Sequence, residues 1–567
     1  MNDFFRKHPF LTACLPLAAA WILILLLPPI GLHNDDFQLW FIYCNGGTGA
    51  VPFSMYSGVL EGWLLMGLNA LSDQVNWYLL LLLLTSSAAC LGLNLHATSR
   101  WCADTDASRK FSCCRLITQQ AILFFINYKS IHHAQYTYLA ILCACVSAFL
   151  FYDWFKGIGS WKRLVASLAL FCCAYELRDQ SMASFGIMAA GILLAGFLSR
   201  RDTPSNRRAL CALFYPLILL VLMATDHLTF RATPEWYEAK QFCLARNGIQ
   251  DQRDNSGIDK SAELAKVGIS AEDFNLFNSF TYVPGFAQES SEKLVQVRDI
   301  HQDKRRGLLN SELAARAGIL SQEGYHFKGG DSLLRAIDPW VPLSISLVML
   351  ILGCNKRALQ HALPMLATVL LYFGVLYLLQ RPVDRVLHPV LFAGSIWILA
   401  SPLRSNSFSR IWVINTGAVA AVLLATAFLL RHTRWYLKPA APVWQYCAQH
   451  PQNLYLTTSM QHLNLFPMGW PGTSLHYLAS TNIIPISDGW CFYTPAYKAA
   501  LRTRGIINPY AEICKNSTFL ITQNNTDEEG MLRTISAVHN RQIGFPLSFE
   551  KLETVGKFTI WKARPQP

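Results

Sequence analysis

Two adjacent carboxylates, Asp35 and Asp36, stand in "GLHNDDFQLW" just past a long apolar run. Acids at the edge of a membrane span are costly to hold there. Two kinds of chemistry would use them: taking a proton from an attacking hydroxyl, or holding a divalent cation that stabilises a departing anion. The plain structural alternative is a helix cap for a segment beginning near Phe37, because Asp accepts from the free N–H groups of a first turn.

Three further groups of ionisable residues lie near apolar runs: Lys129, His132 and His133 in "YKSIHH"; Glu176, Arg178 and Asp179 in "ELRDQ"; Arg381, Asp384 and Arg385 in "QRPVDR". Each has an ordinary reading. The histidines suit an interface between helix and headgroup, Glu176 and Arg178 can neutralise one another, and Arg381 and Arg385 can anchor a span end with their stems in lipid. What raises them above these readings is that one topology puts all four groups at one surface.

That topology follows from the elements that carry them. The chain has 567 residues, 52% hydrophobic and only 15% charged, with mean hydropathy +0.25. Several apolar runs approach the ~20 residues needed to cross a ~30 Å hydrocarbon core. The expected fold is mainly α, a polytopic helical membrane protein. Spans are expected near 10–30, 77–94, 116–132, 134–152, 162–178, 181–198, 209–229, 338–354, 358–380, 386–403 and 411–431, about eleven in all. The first is read as a retained span and not a cleaved signal, being too long for a signal's apolar region and lacking a small-residue cleavage site. The stretch 50–72 carries Glu61 and several glycines and is read as an interfacial or re-entrant helix on the outer surface.

With that choice the loops sort by charge. Segments 100–115, 153–163, 200–208, 355–357 and 404–410 are short and basic and belong inside. The outer set holds the Asp35/Asp36 loop, the three ionisable turns, a long insertion and the tail. The N-terminus is then inside and the C-terminus outside. The net charge of +12 is explained by these basic loops, which leaves no call for nucleic acid as a partner.

The domain reading has a membrane part over 1–229 with the acidic first outer loop at 31–76, an extracytoplasmic helical insertion at 230–337, further membrane helices at 338–431, and a small extracytoplasmic α/β domain at 432–567. In the insertion, "PEWYEAKQFCLARNG" is expected to stop at Gly248, and Ser270 is expected to cap the next helix. In the tail, 453–458 and 517–523 have strand composition, Thr526 and Glu529 have capping-box spacing, and "LETVGKFTIWKA" reads as a terminal hairpin. Most of the 16 cysteines lie in or beside apolar spans, without a CxxC pair; among Cys447, Cys491 and Cys514 one bridge is open.

An inside N-terminus, one span, an acidic "NDD" in the first outer loop, surface-lying helices, many spans and an outer C-terminal domain resemble the GT-C superfamily of membrane glycosyltransferases. More closely the chain resembles a group of bacterial multi-span proteins that share the "NDD" loop, a stretch like "CNGGTGAVPF", an outer turn like "RPVDRVLHP" and a tail segment like "SDGWCFYTP". The resemblance covers most of the chain through short motifs. It implies transfer of a sugar from a polyprenyl-phosphate donor to a cell-envelope glycan or lipid acceptor, with Asp35 or Asp36 matching the catalytic acid of the first loop. A second acidic motif is matched only by the position of Glu176 and Asp179.

The expectation is an integral, multi-pass glycosyltransferase of the inner or plasma membrane. Asp35 and Asp36 are its catalytic or cation-holding candidates. His132, His133, Glu176, Arg178, Asp179, Arg381, Asp384 and Arg385 are its substrate-binding candidates; forked Arg donors suit a phosphate. A divalent cation is an open cofactor. The rival readings are a polysaccharide polymerase or ligase using diphosphate-linked substrates, a transporter or flippase, and a non-catalytic envelope assembly protein. Continuous spans with charges at their ends argue against the transporter, whose helices break at mid-membrane.

Overall fold

The computed structural model describes residues 2–26, 35–104, 109–132, 134–158, 160–198, 212–250, 261–278, 281–286, 290–300, 340–352, 355–378, 384–403, 416–417, 419–420, 423, 441–458, 482–486, 491–523, 528–556 and 558–566. Within them the protein is mostly helical, with a small sheet near the C-terminus. The first half holds α1 (Asn2–Lys7), α2 (Pro9–Leu25), α3 (Asp35–Tyr43), α4 (Val59–Leu71), α5 (Trp77–Ala103), α6 (Arg109–His132), α7 (Tyr136–Phe155), α8 (Trp161–Leu177), α9 (Ser181–Leu198) and α10 (Phe214–Arg231). Then come α11 (Pro234–Gln250), α12 (Ser261–Lys266), α13 (Ala271–Asn278), α14 (Trp340–Leu352), α15 (Lys356–Leu378) and α16 (Asp384–Leu399).

The bundle is built around α7, which packs against α5, α8, α9 and α16. Its sequence "YTYLAILCACVSAFLFYDWF" is apolar on every face, and nearly every residue is buried. A helix without a polar stripe has no face to give to water, and its Ala, Cys and Ser residues let neighbours approach closely. α5 and α7 are long and apolar enough to cross a membrane. Other apolar helices carry their large side chains outward. Leu11, Leu15, Ile22 and Leu25 on α2, Leu217, Leu220 and Val221 on α10, and Leu370 and Leu371 on α15 are all exposed.

The stretch 50–72 contributes α4, whose 13 residues extend ~20 Å at about 1.5 Å per residue, short of a ~30 Å core. Val59, Glu61, Gly62 and Leu65 face inward, while Trp63, Leu64 and Leu71 are exposed. Gly62 is required by closeness, since a Cβ there would meet the Pro52 carbonyl oxygen at 2.1 Å. Most of the run 411–431 lies outside the described residues.

The tail holds α17 (Ala441–Gln449), α18 (Pro495–Arg502), α19 (Pro509–Glu512), α20 (Glu528–Ile543) and five strands: β1 (Leu454–Thr457), β2 (Ile483–Pro485), β3 (Thr518–Gln523), β4 (Leu547–Val555) and β5 (Phe558–Pro565). The sheet order is β2-β1-β3-β5-β4. β1 pairs in parallel with β2 and β3, and β5 runs antiparallel to β3 and β4. The two expected strands and the terminal hairpin are present. β2 was not foreseen: "IIP" is three residues long, too short for alternation to register.

Four local expectations need revision or remark. α11 continues past Gly248 to Gln250, because Arg246 is 4% exposed and packed into the protein, and tertiary burial outweighs the propensity cost of a helical Gly. Cys447, Cys491 and Cys514 are all free thiols. Ser270 does cap the helix after it, its Oγ accepting from the Asp273 N–H at 3.0 Å. Thr526 of the expected capping box is outside the described residues.

The tail is docked on the insertion. The Tyr510 hydroxyl donates to the Tyr282 carbonyl at 3.0 Å, the Val283 N–H donates to the Tyr493 hydroxyl at 3.2 Å, and Gln542 donates to the Pro284 carbonyl at 3.2 Å. Arg541 pairs with Asp273 at 2.6 Å.

Candidate functional site

α3 brings Asp36 into contact with the starts of two long helices. Its Oδ1 accepts from the Tyr136 backbone N–H at 2.9 Å and from the Tyr78 hydroxyl at 3.2 Å. Tyr136 is the first residue of α7 and Tyr78 lies in the first turn of α5. Asp36 is fully buried. It therefore caps a helix, but one a hundred residues away, where the first-turn N–H groups of α7 have no partner within the helix. α3 itself starts at Asp35 and not near Phe37; the side chain of Asp35 lies outside the described residues.

A second carboxylate layer lies beside it at the N-terminus of α4. Glu176, at the end of α8, accepts from the Glu61 N–H at 3.0 Å through Oε2. Asp226, on α10, accepts from the Val59 N–H at 2.9 Å and from the Tyr175 hydroxyl at 2.8 Å. The Gly58 N–H donates to the Glu176 carbonyl at 2.7 Å. Two acids from two helices thus satisfy the first turn of a third, where the helix dipole also favours negative charge. Gly58 must be Gly, since a Cβ there would meet Glu176 Oε2 at 2.2 Å. The Glu61 side chain turns back toward α3 and accepts from the Tyr43 hydroxyl at 3.0 Å. The charges of Asp36 and Glu176 both act on it. One Glu61 oxygen and one Glu176 oxygen are buried without a hydrogen-bond partner.

Cations border this acidic layer. Arg178 lies over the rings of Tyr56 and Tyr136, at 5.7 and 5.5 Å. It donates to the Tyr136 hydroxyl at 2.7 Å and to Thr137 Oγ1 at 2.8 Å. It does not pair with Glu176, so mutual neutralisation does not describe the two. Arg246 on α11 donates to the Tyr56 hydroxyl and, at 2.6 Å, to Asn247. Lys240 on the same helix faces Asp226, Asp179 and Glu176; burial pulls its ammonium below the ordinary lysine range, and these carboxylates act the other way. Asp179 is exposed, and its Oδ1 accepts from the Gln180 N–H at 2.6 Å.

Lys129 and His132, at the end of α6, are buried. Lys129 lies 5.8 Å over the Phe392 ring, and His132 stacks on Tyr128 at 5.5 Å. His388 of α16 is buried beside them and faces Lys129. Arg385 sits half-buried in the first turn of α16. His133, Arg381 and the side chain of Asp384 lie outside the described residues.

The structure thus joins Asp36, Glu176 and Arg178 into one network through Tyr136 and Glu61. Sequence reasoning did not nominate Tyr43, Tyr78, Tyr136, Lys240, Arg246 or His388. Asp226 had a usable signal, as the one carboxylate in the apolar run "FYPLILLVLMATDHLTF". Among the described residues no three His, Cys, Asp or Glu side chains gather in a way that could hold a metal ion. Compared with known proteins, the chain matches no family model, no curated protein and no solved structure.

Proposed function

We propose that the protein is a multi-pass membrane glycosyltransferase of GT-C type, moving a sugar from a polyprenyl-phosphate donor to a cell-envelope acceptor. The observation that carries this reading is Asp36: a fully buried carboxylate, held by the Tyr136 N–H and the Tyr78 hydroxyl, in a network that ends on a guanidinium. The outward apolar side chains of α2, α10 and α15 suit lipid contact, since patches of this extent are rarely left to water. The shared placement of charged residues in α3, α8 and α11 suits a polar headgroup at the membrane surface.

In this reading the acceptor oxygen attacks the anomeric carbon and the bond from that carbon to the phosphate oxygen breaks. The acceptor's proton passes to the Asp36 carboxylate, and the phosphate leaves on its polyprenyl chain. In this reading Arg178, which donates to the Tyr136 hydroxyl, supplies positive charge to the departing phosphate, and Arg385 in the first turn of α16 is the second candidate for that role.

The test is Asp36→Asn in membrane-inserted protein, assayed with a polyprenyl-phosphate hexose. Asn keeps an acceptor for the Tyr136 N–H but cannot take a proton. The expected result is correctly folded protein with turnover reduced roughly a hundredfold or more. Wild-type turnover in Asp36→Asn would reduce Asp36 to a cap for α7.

A further inference from the structure

α5 and α7 both begin at Asp36, through Tyr78 and Tyr136. Both also end in one ionic cluster. From Tyr78 to Arg100 is ~33 Å along α5, and from Tyr136 to Asp153 ~26 Å along α7, at about 1.5 Å per residue. The cluster is therefore at the far end of the bundle, remote from the acids of the candidate site.

Asp153 is its fully buried centre. It receives His96 Nδ1, Arg100 Nε and Arg163 Nη1, each at 2.9 Å. At the same end of α5, Asp104 receives Arg115 Nη1 at 2.6 Å, and the Asp104 carbonyl accepts from Arg6 Nη2 at 2.9 Å. Arg115 Nε donates to the Leu399 carbonyl at 3.0 Å. His361 joins the two halves. It stacks on Trp397 at 4.5 Å, Trp397 stacks on His96 at 5.5 Å, and the charges of Arg100, Arg115 and Asp153 are close enough to act on His361.

Three guanidiniums therefore share two carboxylates, and a fourth, Arg6, binds only the Asp104 backbone carbonyl and Ser112 Oγ. The Arg115 side chain is 1% exposed and that of Arg100 13%, so the surplus positive charge is largely withdrawn from water. Arg100 Nη2, Arg115 Nη2 and His361 Nε2 are buried and have no hydrogen-bond partner. Arg100 and Arg115 each have a carboxylate partner, but every idle buried donor keeps its own desolvation cost. Basic residues that served topology alone would keep their guanidiniums in water. They turn inward instead, and with more donors than the protein's own acceptors engage.

We propose that this end of the bundle is a binding site for a phosphate-type oxyanion, taken up by Arg100 Nη2, Arg115 Nη2 and His361 Nε2. Guanidinium forks match phosphate oxygens in both spacing and charge. With Nε2–H turned to the anion, His361 Nδ1 accepts from the Ser401 hydroxyl, whose Oγ is 2.9 Å away. The same chemistry is offered by the headgroup of an anionic phospholipid and by a free phosphate. The site stands independently of the glycosyltransferase reading.

The test uses the full chain purified in detergent and in nanodiscs, with inorganic phosphate and phosphatidylglycerol as probes. Phosphate at millimolar concentration is expected to raise the unfolding temperature by several degrees over chloride at equal ionic strength. It is also expected to slow amide exchange around residues 99–103 and 112–116. Arg100→Gln and Arg115→Gln should each weaken the effect at least tenfold. Arg100→Gln leaves Asp153 with His96 and Arg163, so its fold has support. Stabilisation in phosphatidylglycerol over phosphatidylcholine nanodiscs, stronger than that by free phosphate, assigns the site to a lipid headgroup; the reverse assigns it to a soluble phosphate. The proposal is overturned if neither probe changes stability or exchange beyond the chloride control, or if both variants respond as the wild type does.

Discussion

Gly46 and Ala500 meet where the turn after α3 touches the tail. Gly46 sits in the 3-10 turn Asn45–Gly47 just after α3, with φ +65°, and a Cβ built on it would stand 2.6 Å from the Ala500 Cβ and 2.4 Å from the Ala496 carbonyl oxygen. The stretches "CNGGTGAVPF" and "SDGWCFYTP" are about 440 residues apart in the sequence, and α18 begins where the second one ends. The helix that carries Asp36 is thus braced by the tail.

Gly46→Ala should loosen that junction. The positive φ and the close approach both oppose a side chain, at a cost of about 1–3 kcal/mol. Limited proteolysis of the membrane-inserted protein should release the tail faster than in wild type. Gly67→Ala, on the open side of α4 with nothing within 4 Å of the added carbon, should be neutral. Equal proteolysis rates for Gly46→Ala and wild type would mean that the tail is not held there.

Glu176 serves α4 by accepting from its N-terminus. Glu176→Gln retains a side-chain oxygen and should keep the fold. Glu176→Ala leaves the Glu61 N–H unmatched, which costs roughly 1–3 kcal/mol. Thermal unfolding should separate the two variants; identical losses would point to the charge rather than to the hydrogen bonds.

Arg178 is wedged between Tyr56 and Tyr136 with two donors on the Tyr136 side. In the proposed reaction Arg178→Lys should raise KM for a polyprenyl-phosphate donor more than it lowers kcat, because lysine keeps the charge but loses the planar fork. An unchanged KM would remove Arg178 from the donor site.

Reporter fusions test the proposed topology. Fusions after residues 110 and 205 should report the inside, and fusions after 290 and 440 the outside, with α4 lying along the outer surface. A fusion at 110 that reports the outside would place 50–72 across the membrane and separate the ionisable groups from one surface.

His539 gives the tail a pH dependence. It is 1% exposed, and its Nδ1–H donates to the Phe545 carbonyl at 2.9 Å. Burial lowers its pKa below the ordinary histidine value, and the hydrogen bond to Phe545 acts in the opposite direction. The unfolded chain therefore binds the proton more readily, and stability rises with pH across that window. The contribution is fully present above about pH 6.5 and is lost as pH falls through the folded-state value. Amide exchange in α20 should be faster at pH 5 than at pH 7.5 after correction for intrinsic rates. His539→Gln should flatten the difference.

The sequence by itself determined where most helices and strands form. Apolar runs and alternation are local patterns, and they marked α5 to α9, β1, β3 and the β4–β5 hairpin within a few residues except at the C-terminal end of α5 and the N-terminal end of α6. It also brought forward Asp36, Glu176 and Arg178, because a charge beside an apolar run stands out in one dimension. It did not determine what those charges do to one another. Asp36 caps α7 and not the segment that follows it, Glu176 turns to the start of α4 and not to Arg178, and Arg100, Arg115 and Arg163 fold onto buried acids and not into solvent. The partner of a buried charge is chosen by whichever orphan donor or acceptor the packing of distant helices leaves within about 3 Å. That distance is a property of the packed bundle, and no spacing along the chain encodes it.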